Sequence, residues 1–128
     1  MTIATTDPIF NWTGAFGLPE FGAISDDAFE AAFAKAMAEH DAEMAAIAES
    51  PAAPDFANTI EAMELAGDKL SRVSALFWNK AGADTNETIQ TLERVIAPQM
   101  SRHYSKIAMN KALFERVDTV YQNREALG

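Results

Sequence analysis

Cysteine is absent from the 128-residue sequence. Its absence removes disulfide frameworks, thiolate zinc clusters and redox pairs together, and it fits a reducing compartment. Bases are scarce where acids gather. Residues 1–64 hold twelve acids against the single base Lys35, and residues 65–128 hold seven acids against nine bases, for a net charge of −9. No basic stripe exists to neutralise phosphates, so nucleic acid is a disfavoured partner. The asymmetry implies two solvated faces that attract one another on folding. No stretch approaches the ~20 apolar residues needed to cross a bilayer, and the opening Met1-Thr2-Ile3-Ala4-Thr5-Thr6-Asp7 has neither a basic nor an apolar leader region. The expectation is a cytoplasmic chain with no membrane partner. P-loop, dinucleotide glycine and Ser-His-Asp patterns are missing as well.

What is present is helical periodicity. Residues 1–24 scatter Phe10, Trp12, Phe16 and Phe21 among prolines and glycines without any period, which reads as an irregular arm. Each aromatic can bury on the order of 150–250 Å², so the arm is expected to lie across the helices that follow, Trp12 and Phe16 included. From Ser25 or Asp26 to about Glu49, the residues Phe29, Phe33, Ala36, Met37, His40, Met44 and Ile47 recur at spacings of three and four. Pro51-Ala52-Ala53-Pro54 ends that helix and makes a stiff connector. A second helix is expected from Thr59 to about Ala81, with Gly67 inside it explained by close approach of a neighbour. A third carries Ile89, Leu92, Ile96, Met100, His103 and Ile107, with Pro98 expected to kink or briefly break it. The fourth runs roughly Lys111 to Ala126 behind Asn110, with Leu113, Phe114, Val117, Val120 and Tyr121 on its apolar side. Short connections imply antiparallel neighbours. The fold expected is therefore all-α, an antiparallel bundle of about four long helices over residues 25–128, preceded by the arm at 1–24.

Local signals are strongest around residue 58. Asn58 is expected to cap the second helix, with Glu61 reaching back in a reciprocal box between Phe56 and Ala57 on one side and Ile60 and Met63 on the other. Asp84-x-x-Glu87 offers a similar box for the third helix. His40 and His103 are 63 residues apart, which is not the one-turn pair of a zinc peptidase. Each is expected to be a partly buried, hydrogen-bonded histidine. His40 with Glu43 could share a metal in principle, but no second helix supplies the matching Glu-x-x-His pair of a di-metal bundle. Phe77, Trp78 and Asn79 point about 100° apart on a helix and cannot all face one core. Trp78 is expected to meet a second layer or remain partly exposed.

Four colinear blocks carry a family resemblance. Phe56-x-Asn58-Thr59-Ile60-x-Ala62-x-Glu64 is one, and Trp12-Thr13-Gly14-Ala15-Phe16-Gly17-Leu18-Pro19 with Phe21 and Ile24 is another. Arg72-Val73-Ser74-Ala75-Leu76-Phe77-Trp78-Asn79 with Thr85-Asn86 is the third, and Ile96-Ala97-Pro98 with Asn110, Leu113 and Phe114 the fourth. Together they resemble the amino-terminal region of the thimet-oligopeptidase-like zinc metallopeptidases, in the peptidyl-dipeptidase and oligopeptidase A branch. The resemblance implies a helical region that helps wall a channel for short peptides. It also implies a zinc site, on a His-Glu-x-x-His helix, encoded downstream of this stretch. No catalytic, cofactor-binding or metal-binding residue is therefore assigned within residues 1–128, and the chain alone is expected to be inactive. Zinc belongs to the parent enzyme, short peptides are its substrate, and the absent catalytic part is the expected partner, with a homodimer of the fragment possible through the same surface. From composition alone, a stand-alone helical protein-interaction module remains the alternative.

Overall fold

Helix α1, Ala28–Ala48, buries Phe29, Phe33, Ala36, His40, Met44 and Ile47 of the stripe its periodicity predicts, adds Ala32, and leaves Met37 partly buried against the core. The computed structural model describes residues 3–4, 7–83 and 85–127, with side chains as far as Glu125. Ser25 to Asp27 form a turn rather than the first helical residues, so α1 starts slightly later than its acidic signal suggests. A π-helical turn, Phe56–Glu61, leads into the short helix α2, Ala62–Leu65. Helices α3, Asp68–Ala83, α4, Glu87–Ala108, and α5, Lys111–Gln122, follow, and a 3-10 turn, Arg124–Leu127, succeeds α5. The described residues form no strand. The all-α bundle is thus the observed architecture.

Three ties between carboxylates and ammonium groups fix the helix directions. Asp26, just before α1, binds Lys80 near the end of α3, and its other carboxylate oxygen accepts from Asn86 at the head of α4, at 2.8 Å. Glu39 meets Lys69 near the start of α3 at 2.9 Å. Asp41 meets Lys106 near the end of α4 at 2.8 Å. Helix α3 therefore runs antiparallel to α1, while α4 runs parallel to α1. Every one of these carboxylates comes from the acidic first half and every ammonium group from the second, as the charge asymmetry implies.

The main core lies among α1, α3 and α4. Phe77 sits edge-on to both Phe29 and Phe33, with ring centroids 5.1 and 5.4 Å apart, arrangements that add about 0.5–1.5 kcal/mol each beyond area burial. Leu70, Val73, Ile89 and Ile96 complete it. The arm contributes Ile9, Phe10 and Ile24 to this core. Trp12 docks on α3, donating its indole N–H to the Ile9 carbonyl at 3.0 Å and lying under the Arg72 guanidinium. A second cluster, Met44, Ile47 and Leu113, joins the far end of α1 to α5.

Several local expectations are corrected. Asp55, not Asn58, caps the second helical segment: its carboxylate accepts from the Asn58 N–H at 2.7 Å, while the Asn58 side chain accepts from the Asp55 N–H at 2.8 Å. Asn58 is thus the third residue of the turn, and Phe56 lies inside the helix. The expected Thr59–Ala81 rod is interrupted. Ala66 adopts an extended conformation and Gly67 a left-handed one at φ +76, so the chain turns a corner between α2 and α3. Close approach does explain Gly67: a Cβ there would lie 2.8 Å from the His40 ring. Helix α4 continues through Pro98 without a break. Asp84 lies outside the described residues, and Asn86 caps α4, accepting from the Ile89 N–H at 2.9 Å. Asn110 caps α5 as expected. Phe114 and Tyr121 are exposed rather than inward, because only Leu113 and Val120 of that side reach the core.

Candidate functional site

The corner at Gly67 brings the two histidines into play. His40 projects from the apolar stripe of α1 and His103 from that of α4, and the parallel packing of those helices sets Nδ1 of His40 2.8 Å from Nε2 of His103. Both rings are buried. Hydrogen-bonded burial is what the sequence led one to expect of each, but not that each would be the other's partner. The opposite side of the pair meets Asp41, whose Oδ1 lies 3.4 Å from His103 Nδ1. That separation is too long for a good hydrogen bond, and the buried Nδ1 has no hydrogen-bond partner. The carboxylate nevertheless favours a proton on Nδ1 of His103, which leaves its Nε2 to accept from the His40 Nδ1–H. Burial lowers the His103 pKa; the Asp41 charge opposes this, while His40 and Lys106 add to it.

Beside the pair is an open cleft of about 240 Å³ lined by Met37, Asp41, Gln99, Arg102, His103 and Lys106. It is shallow, and most of its lining residues are polar or charged. Across the bundle, an apolar cleft of about 170 Å³ lies between the arm and α3, with Trp12, Leu18, Pro19, Phe21 and Leu76 among its walls. Its surroundings are unusually bare of cover. Phe16, expected to lie on the helices, is fully exposed at 101% and holds a left-handed backbone, φ 60 and ψ 23, within a loop closed by the Gly14 N–H on the Leu18 carbonyl at 2.8 Å. Phe21 is half-exposed, and Trp78 is 42% exposed beside the buried Phe77. The expectation that Trp78 would be left partly uncovered holds.

A third feature had no counterpart in the sequence reading. Arg116 of α5 is buried, and its guanidinium donates to the carbonyls of Ser50 and Ala52, at 3.1 and 3.0 Å, and to the Asn58 side-chain oxygen at 3.2 Å. It clamps the proline connector and the capping box onto α5. Its position between Phe114 and Val117, flanked by Glu115, makes it look like an ordinary surface charge. Only the return of the connector to α5 reveals the role.

Among the described residues no group of three or more His, Cys, Asp or Glu side chains is placed to hold a metal ion. The two imidazole nitrogens that face each other are engaged in their mutual hydrogen bond, and Glu43 is exposed on the outer side of α1. The residues described here do not fit a zinc centre of the kind the resemblance attributes to the parent enzyme.

No protein-family model matches the sequence. Two characterised proteins do. A dipeptidyl carboxypeptidase of Escherichia coli is 40% identical over 110 residues, which is 86% of this chain and 16% of that protein. A dipeptidyl carboxypeptidase of Salmonella typhimurium is 39% identical over the same shares of each chain. The chain therefore spans about a sixth of the length of the relatives it matches.

Proposed function

Because the chain is a homologue of dipeptidyl carboxypeptidases over most of its length, we propose that it is the amino-terminal helical region of a zinc-dependent peptidase of that kind. The single observation that carries this reading is the 110-residue match at 40% identity. In it, residues 25–128 form a helical domain that helps wall the channel through which short peptides reach the reaction centre. In this reading the residues that would hold the metal ion, and with it the Lewis-acid chemistry, lie outside this chain. The chain by itself is inactive, and the parent enzyme works in the cytoplasm. No helix of the described residues is long and apolar enough to cross a membrane, which is compatible with that location.

The remainder of the same polypeptide is the partner. Support for this comes from the arm, where Phe16, Leu18, Phe21 and Trp78 leave apolar surface uncovered around a cleft that is itself largely apolar. Phe16 is the most telling of them, since a fully solvated aromatic held in a left-handed turn gains nothing within this chain.

The test is direct. The pure 128-residue chain with added zinc should release no dipeptides from short peptides, and the reading frame past Gly128 should encode a His-Glu-x-x-His helix. Joined to that downstream part, the chain should belong to a protein that cleaves the same peptides, and a Phe16→Ser, Trp78→Gln variant should weaken its association with the downstream part when the two are supplied separately. Robust zinc-dependent cleavage by the chain alone would overturn the assignment.

A further inference from the structure

We propose that the His40–His103 pair is a proton-operated latch, which holds α1 to α4 and buttresses the Gly67 corner with at most one added proton and opens when both imidazoles are charged. The argument begins with counting hydrogens. In the neutral pair, one N–H lies between the two nitrogens 2.8 Å apart, donated by His40 Nδ1 to the lone pair of His103 Nε2. A first added proton can settle on His40 Nε2. The inter-ring bond survives and becomes charge-assisted. A second proton has only the accepting lone pair of His103 Nε2 to occupy. Two N–H groups would then face one another between two positive rings, and the bond is lost.

The surroundings cannot stabilise two charges. From α1 the facing groups are Asp41, already 2.8 Å from Lys106, and Glu39, which is shared between Lys35 and Lys69. From α4 they are Lys106, Arg102 at the adjoining cleft, and Tyr104, whose ring lies 6.1 Å from that of His40 and 5.3 Å from that of His103. From the corner between α2 and α3, Gly67 packs its uncharged backbone against the His40 ring. The next residues there are committed elsewhere, Asp68 to Arg72 and Lys69 to Glu39. Among the described residues Asp41 is the one carboxylate within 4 Å of either imidazole, against Lys106, Arg102 and two prospective imidazoliums. Burial of both rings excludes the water that could otherwise separate the charges.

Opening has a defined consequence. His40 is in contact with the left-handed Gly67, so displacement of its ring removes the support under the α2–α3 corner and loosens α2 and the π-helical turn before it. The latch thus ties the helical register of α1 and α4 to the angle at which the capping box and proline connector are held.

Imidazole 15N NMR on the 128-residue chain from pH 8 to pH 5, with urea unfolding at each pH, tests the proposal. Two separated protonation steps are expected, with the Gly67 amide resonance moving during the second. The unfolding equilibrium constant should rise about tenfold between pH 7.5 and 5.5, the effect of one proton that the folded state excludes and an ordinary histidine of pKa ~6.5 accepts. A His40→Asn, His103→Gln variant retains one hydrogen bond between groups that do not titrate, and it should abolish the rise. If that variant does not fold, His103→Gln alone leaves one imidazole and should remove the second step. A single step near pH 6.5 for both rings, with a still Gly67 amide and a flat unfolding constant, would overturn the proposal, as would full pH dependence in either variant.

Discussion

Replacing Gly67 by alanine tests the central geometry of the bundle. Two penalties combine at this position. At φ +76 an L-residue occupies the left-handed region, which costs roughly 1–2 kcal/mol. The new methyl would also lie 2.8 Å from Cδ2 and 2.9 Å from Nε2 of His40, closer than real contacts allow. His40 cannot swing aside freely, because it is buried and bonded to His103 at 2.8 Å. Overpacking of this sort costs about 1–3 kcal/mol. Gly67→Ala should therefore destabilise the chain by about 2–5 kcal/mol in all, read as a lower urea midpoint at unchanged slope. The steric share can be isolated. In a cycle with His40→Ala, which clears the space the methyl needs, the double variant should be more stable than the sum of the single losses predicts by about 1 kcal/mol or more. A loss below about 1 kcal/mol for Gly67→Ala, or strict additivity in the cycle, would refute the claim that corner and histidine are packed against one another.

Arg116→Met should cost about 2–4 kcal/mol, because it leaves two connector carbonyls without their donor and takes one of its donors from the Asn58 oxygen; Arg116→Lys should recover little of this, since one ammonium cannot span all three acceptors, and equal stability of the three proteins by urea unfolding would contradict the clamp. Acid should act through two further groups. The Lys80 hydrogen bond first, then Asn86, lowers the pKa of Asp26, and the Lys69 hydrogen bond first lowers that of Glu39. Both contributions are present above the ordinary values of 3.8 and 4.5 and fade as pH falls through the lowered folded values. Asp26→Asn should flatten the pH dependence of the unfolding midpoint below about pH 4.5 while leaving the region around pH 6 untouched, which separates this effect from that of the histidines.

How far the sequence was legible depended on whether the deciding contact was local. Phe29 through Ile47 announce their face because helical spacing alone determines it, and Asn110 announces a cap because it bonds its own third neighbour. The start of the second segment is harder. Asp55, Asn58 and Glu61 form two overlapping boxes one turn apart, and local chemistry permits either. What selects Asp55 is distant: the Asn58 side chain donates to the Ala53 carbonyl at 2.9 Å and accepts from Arg116, so it is held on the connector side. Gly67 was legible as a close approach but not as a corner, since its conformation depends on His40, 27 positions earlier. The inward face of α5 was overestimated for the converse reason. Phe114 and Tyr121 fit the apolar period, yet α5 packs mainly on the far end of α1 and the turn at Phe56–Glu61, and both rings stay exposed. The histidine pairing required knowing that α1 and α4 run in the same direction, which no spacing within either helix records.

The pairing of Asp26 with Lys80, Glu39 with Lys69 and Asp41 with Lys106 also bears on how the molecule is born. During synthesis α1 emerges carrying four acids against the single base Lys35, before any of those lysines leaves the ribosome. Mutual repulsion keeps this nascent segment dispersed and its phenylalanines away from those of neighbouring chains. Arrival of the later, cationic helices then removes the repulsion and recruits α1 in a single direction. High salt during translation or refolding should blunt that timing, so the order in which the charges are written along the chain serves as a schedule for its assembly.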